Sequence, residues 1–118
     1  SEGKKLIEDI WLQSSDINVK DKSLVWNTDL LETLEFQNLI SQAVVTMSSA
    51  YNRKESRGAH ARDDFQDRDD KNWRKHTLAT VNGNDVTLTY RPVHLDPLTD
   101  QSEGGIDMKK IAPKARVY

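Results

Sequence analysis

The chain contains no cysteine, which excludes disulfides, iron–sulfur ligation and thiol catalysis within it. It has five glycines, Gly3, Gly58, Gly83, Gly104 and Gly105, and no spacing among them makes a G-x-G-x-x-G loop. That loop is what lets a pyrophosphate approach a helix N-terminus, so this chain is not expected to bind a dinucleotide by itself. Apolar runs are only a few residues long, Ala43-Val44-Val45 being typical, against the roughly 20 needed to span a bilayer. Membrane association is therefore expected only through partners. Neither charge sign dominates: 17 Lys and Arg against 19 Asp and Glu give a net charge of −2. The basic footprint of a nucleic-acid binder is absent, and nucleic acid is not an expected partner. The opening Ser1-Glu2-Gly3 has no methionine and no signal-like apolar segment, and an excised piece or a processed product is expected.

What is present fits a small α+β chain. At 118 residues it is one domain at most, with a limited capacity to bury apolar surface. Its 36% hydrophobic against 31% charged residues fall below the usual apolar share, as polar tails or a piece of a larger core would give. Leu6, Ile7, Ile10 and Trp11 form the stripe of a first amphipathic helix over residues 1–13. Ser14-Ser15-Asp16 breaks it, and residues 16–26 are expected to form a compact loop. Asn27-Thr28-Asp29 offers side-chain acceptors for a helix start, and the apolar pattern of residues 30–51 makes the dominant helix. At about 100° per residue, Phe36, Ile40, Ala43, Met47 and Ala50 share one face, while Leu30, Leu34 and Val45 lie roughly opposite. A helix apolar on two sides is sandwiched. The reading is a truncated helical bundle whose isolated form self-associates, with a single drifting stripe as the alternative.

Arg53, Lys54 and Arg57 suit a helix C-terminus, with Gly58 as its left-handed stop. Residues 69–75 are expected to form a short helix anchored by Trp73. Strands at 77–81 and 86–93 then flank Asn82-Gly83-Asn84-Asp85, a tight-hairpin signal, with Val86, Leu88 and Tyr90 facing the core. Pro92 limits the second strand, and Pro97 and Gly104-Gly105 mark an irregular C-terminal tail. The expected division is a partial helical domain, 1–75, and a hairpin with tail, 76–118.

Familiar catalytic and metal motifs fail on spacing. His60, His76 and His94 are too scattered for an H-x-x-x-H metal site. The aspartates between 63 and 70 match no EF-hand loop. Ser56-Arg57-Gly58 is not a G-x-S-x-G elbow. The expectation is no metal and no catalytic residue in this chain. For Arg57, Gly58, His60 and Arg62 two readings stand. One is a helix stop followed by ion pairs with Asp63, Asp64, Asp67 and Asp69. The other is a docking segment whose arginine forks bind carboxylate or phosphate.

The series Glu55-Ser56-Arg57-Gly58-Ala59-His60, Arg62, Arg68-Asp69-Asp70, Trp73, Lys75-His76-Thr77 and Pro113-Lys114-Ala115-Arg116-Val117-Tyr118 resembles the C-terminal region of the succinate dehydrogenase/fumarate reductase flavoprotein family. The resemblance covers nearly the whole chain. It implies an intact enzyme that oxidises succinate to fumarate, using FAD covalently held on an upstream domain and passing electrons to an iron–sulfur subunit and membrane quinone. The catalytic residues of the family lie upstream, so this piece is implied to be inactive alone and to buttress the flavin-binding domain. Arg57, His60, Arg62, Arg116 and Tyr118 are the implied docking residues. The implied partners are the flavin-binding domain, the iron–sulfur subunit and, indirectly, the membrane anchor subunits. The implied place is peripheral, on the cytoplasmic face of a bacterial inner membrane or the matrix face of the mitochondrial one. Arg91-Pro92-Val93-His94 tilts toward succinate dehydrogenase. Gln66, where relatives often carry proline, and residues 101–106 depart from the pattern. The alternatives are a fumarate reductase fragment, or a free-standing helical module that binds an acidic partner.

Overall fold

The computed structural model describes residues 2–94. The order is α1 (Glu2–Gln13), a single 3-10 turn (Ser14–Asp16), α2 (Thr28–Asn52), β1 (Lys75–Asn82) and β2 (Asp85–Pro92). Two helices and a two-stranded antiparallel hairpin make a small α+β fold. The expected tail, with Arg116 and Tyr118, lies outside the described residues. The described residues divide into two compact units, one taking in the helices through Arg53 with Ala79–Thr89, the other Lys54–Leu78 with Tyr90–His94.

In the first unit α1 packs along α2. The position of a Cβ on Gly3 would lie 3.7 Å from the Met47 Cε, so the start of α1 lies beside the last third of α2. Lys4 and Glu8 pair at 3.1 Å one turn apart on α1. The helix stops where Ser14 and Ser15 hydroxyls donate back to the Trp11 and Leu12 carbonyls at 2.6 and 3.2 Å, the local competition that makes serine a helix breaker. Asn27 caps α2 as its sequence position predicts, its Oδ1 accepting the Leu30 N–H at 2.8 Å. Along α2 the buried residues are Ile40, Val44 and Ser48, while Leu30, Leu31, Leu34 and Leu39 are exposed. Among the described residues the buried apolar side chains are Ile40 and Val44. Such a core is small for a free-standing domain.

Between α2 and β1 two local expectations are corrected. The long helix ends at Asn52, with Arg53 already extended and its N–H bonded to the Ser49 carbonyl at 3.2 Å. Gly58 is left-handed, at φ +58°, but it stops no helix. It forms the tip of a turn in which Arg57 and His60 exchange backbone hydrogen bonds of 2.8 and 3.0 Å. The early exit brings Glu55 within reach of its partners, described below. Residues 69–74 form a turn, not a short helix. The Asp69 carboxylate takes the N–H groups of Lys71 and Asn72 at 3.1 and 2.9 Å, an Asx-type turn that competes with helix. The chain then becomes β1 at Lys75.

The hairpin turns at Gly83-Asn84, and Gly83 has φ +59°. A positive φ at the first central position alone is the type II′ pattern, which matches strand twist. On β1, Lys75, Thr77 and Ala79 are half-buried in alternation with exposed residues, and on β2 Val86 and Leu88 are. Tyr90, expected in the core, is exposed.

Candidate functional site

In the second unit the loop between α2 and β1 is held by its own polar side chains. Its centre is Glu55, which has 0% exposure. A buried carboxylate persists only when its oxygens are satisfied. Here Arg57 donates its Nε to one oxygen at 2.8 Å and its Nη2 to the other at 3.0 Å, a bidentate fork. The Asp69 N–H adds a bond of 2.9 Å from fourteen residues away. Glu55 thus ties the loop's beginning to its end.

Arg57 also reaches Asp70, at 2.6 Å. Asp70 further pairs with Arg68 at 3.1 Å and Arg74 at 2.9 Å, so three guanidinium groups converge on one carboxylate. The hydrogen bonds from Arg57 and then Arg74 hold the Asp70 carboxyl down at about 2. The Arg57 guanidinium is pushed in the opposite direction, chiefly by its hydrogen bond to Glu55. The carboxylates of Glu55 and Asp70 and the guanidinium groups of Arg57, Arg68 and Arg74 thus form one connected network.

A second stitch is neutral. The Ser56 hydroxyl donates to the Phe65 carbonyl at 2.7 Å and accepts the Arg62 N–H at 2.9 Å, while the Ser56 N–H donates to the Asp67 carbonyl at 3.1 Å. Beyond it, Arg62 forks onto Asp64 at 2.8 and 2.5 Å and lies 4.8 Å from the Phe65 ring centre. The hydrogen bond from Arg62 lowers the Asp64 pKa. Asp69 is lowered as well, first by the Asn72 side-chain amide, then by the Asn72 N–H. Where the loop meets the hairpin, the Lys75 ammonium lies 4.0 Å from the Tyr90 ring centre and 4.8 Å from that of Trp73. The two rings meet edge-on at 6.1 Å and 77°. This explains how Tyr90 is used although it is not in the core: its face holds a cation.

The structure brings Arg57, Gly58, His60 and Arg62 into one loop. Arg57 and His60 are paired through their backbones, and the arginine side chains hold carboxylates of the same loop. Of the aspartates named as ion-pair partners from the sequence, Asp64 pairs with Arg62. The partners of Arg57 are Glu55 and Asp70. Sequence reasoning missed these two carboxylates. The signal for Glu55 was an acid set between Lys54 and Arg57, where a solvated cation run has no need of one. Asp70 stands between Arg68 and Arg74, at i−2 and i+4. No group of three or more His, Cys, Asp or Glu suited to a metal occurs among the described residues. Ion pairs, a rigid polar loop and a cation held by aromatic rings suit this arrangement to holding shape.

The whole chain, residues 1–118, matches the family described as the fumarate reductase flavoprotein C-terminal domain. It is 50% identical over 117 residues to the mitochondrial succinate dehydrogenase [ubiquinone] flavoprotein subunit of Oryza sativa subsp. japonica, covering 99% of this chain and 18% of that protein. The succinate dehydrogenase flavoprotein subunit of Rickettsia bellii is 51% identical over 118 residues, covering 99% of this chain and 19% of that one. Among solved structures, the FrdA chain of a mutant E. coli quinol fumarate reductase aligns with a TM-score of 0.72 and 35% identity, over 76% of this chain and 16% of that one. The chain thus spans about a fifth of the length of the curated relatives it matches.

Proposed function

We propose, from the premise that this chain belongs to the fumarate reductase flavoprotein C-terminal family, that it is the supporting domain of a flavoprotein that oxidises succinate to fumarate. The observation that carries this reading is the identity of 50 to 51% with succinate dehydrogenase flavoproteins along 99% of the chain. The described residues themselves do not fit FAD. The N-terminus of α2 is already capped by Asn27, and the left-handed glycines Gly58 and Gly83 sit at the tips of turns, so neither helps build a phosphate cradle. In this reading FAD belongs to the upstream flavin-binding domain. The iron–sulfur subunit and, indirectly, the membrane anchor subunits are partners of the assembled enzyme, and their membrane is a bacterial inner membrane or its mitochondrial counterpart, on the cytoplasmic or matrix face. No helix among the described residues is long and apolar enough to cross it.

The loop of residues 53–74 is the part we assign to contact with the flavin-binding domain, through Arg57, His60 and Arg62, joined by Arg116 and Tyr118 from outside the described residues. What supports this is the rigidity of the network: its side chains are already held in place, so little side-chain freedom is lost on docking. Fumarate reduction is the second reading, favoured by the likeness to the E. coli enzyme. A polypeptide encoded by the frame continuous with this chain is expected to carry covalent flavin and to oxidise succinate with an artificial acceptor. Absence of both from a folded product would favour a free-standing module that binds an acidic partner. Alanine at Arg57 or Arg116 in that polypeptide is expected to lower flavin per subunit before helical content falls. Normal flavin loading in both variants would remove the docking assignment.

A further inference from the structure

The loop ahead of α2 shows an unusual combination of order and exposure. Leu24 is 100% exposed, Trp26 92%, and Val25 between them is exposed too. Three consecutive apolar side chains in solvent would suit a loose segment, yet this one is built. The Asp29 carboxylate accepts the N–H groups of Lys20 and Asp21 at 2.7 and 3.0 Å. Asp21 in turn accepts the Ser23 N–H at 2.8 Å. The Asn27 side-chain amide donates to the carbonyls of Asp21 and Ser23, each at 3.0 Å, while its oxygen caps α2. Trp26 has φ +53° and, among the described residues, is the one non-glycine with a positive φ. An aromatic residue in that region is strained, and such strain persists only where the surroundings fix it. The polar frame spends its hydrogen bonds on holding Leu24, Val25 and Trp26 outward.

We infer that Leu24-Val25-Trp26 is a docking element for the upstream part of the same polypeptide, an inference that rests on reading this chain as one part of a full-length flavoprotein. Three observations select that occupant. The curated relatives are about five times longer than this chain, so in that reading most of the polypeptide lies outside it. The buried apolar side chains of the described residues are only Ile40 and Val44, which calls for a permanent neighbour and not a transient one. Covalent connection also removes the need for a large interface, because a tethered surface meets its site at high effective concentration. A second copy has no such advantage. Even the largest of the three side chains buries only about 150–250 Å², and together they fall short of the roughly 800 Å² per partner of a standard interface.

The test uses the full-length protein, first shown to hold flavin and to turn over succinate, which separates failure of this inference from failure of the functional reading. A photo-crosslinking amino acid replaces Trp26, and the crosslinked peptides are mapped by mass spectrometry. The expected product is an intramolecular crosslink from position 26 to a segment upstream of Ser1, at monomer mass. A crosslink to a second copy or to another subunit would overturn the inference, as would no crosslink in flavin-loaded, active protein. Should the substituted protein not fold, radical footprinting of the unaltered flavoprotein, monomeric and free of other subunits, decides. Trp26 is expected to be lost from the set of oxidised residues, and full oxidation there would overturn the inference.

Discussion

Replacing Glu55 by alanine tests the internal architecture of the charged loop most sharply. The carboxylate is fully buried, takes both arms of the Arg57 fork and receives the Asp69 N–H. Removing one partner of a buried ion pair costs about 3–5 kcal/mol, because the charge left behind is desolvated and unpaired. Arg57 keeps its bond to Asp70 and is part-exposed, so the lower end, about 3 kcal/mol, is expected. At about 1.4 kcal/mol per factor of ten, that corresponds to opening of the loop roughly a hundredfold more often. The assay is amide hydrogen exchange in the full-length flavoprotein, read at Asp69, whose N–H loses its acceptor, and at Ser49 in α2 as an internal control. Glu55→Gln keeps an acceptor oxygen for Asp69 but loses the charge that Arg57 binds. It is expected to cost about 1.5–3 kcal/mol, the worth of a hydrogen bond to a charged group. Unchanged exchange at Asp69 in Glu55→Ala, or a stability change within about 0.5 kcal/mol as at an ordinary surface site, would refute the assignment of Glu55 as the loop's anchor.

Other outcomes follow from single observations. The Ser48 hydroxyl is buried with no hydrogen-bond partner, so Ser48→Ala is expected to leave stability unchanged or to raise it by up to about 1 kcal/mol in denaturant melts; a loss beyond that would show that the hydroxyl is satisfied. Gly83→Ala meets no neighbouring atom but must hold φ +59°, which costs about 1–2 kcal/mol; thermal melts showing no loss would mean the hairpin turn rearranges freely. The Asp70 carboxyl is depressed to about 2 from an ordinary 3.8. Its stabilising contribution is therefore complete above about pH 4 and is lost as pH falls through about 2. Carboxyl titration by NMR should show this, and Arg57→Gln should move the midpoint upward, since Arg57 is the leading cause; an unmoved midpoint would reassign the depression to Arg74 and Arg68.

Much of the fold was legible because it rests on local signals. Asn27 before a long apolar pattern gave the start of α2 to within two residues, and Gly83 between β-rich runs gave the hairpin. What local reasoning missed depended on distant partners. Gly58 could be read as left-handed, but not as the tip of an Arg57–His60 turn, because the loop around it is held by the bond of the Asp69 N–H to Glu55, fourteen residues apart. Residues 69–75 have the composition of a short helix, and a single Asx turn by Asp69 outcompetes it. The exposed Leu24-Val25-Trp26 was read only as a compact loop. Three adjacent apolar residues before a helix cap are ambiguous between core and surface until the Asp29 and Asn27 bonds are known. At the candidate site, the clustering of Arg57, His60 and Arg62 in one segment was readable from sequence, whereas convergence of Arg57, Arg68 and Arg74 on Asp70 required the loop to fold back on itself.

The central claim is that this chain supports a flavin enzyme without supplying its chemistry. The most direct measurement is succinate oxidation with an artificial acceptor, together with flavin absorbance, on the purified 118-residue chain with excess FAD and on the same chain joined to its upstream polypeptide. The account predicts neither bound flavin nor turnover for the chain alone, and both for the joined protein. Stoichiometric flavin or turnover above a buffer control in the chain alone would contradict it.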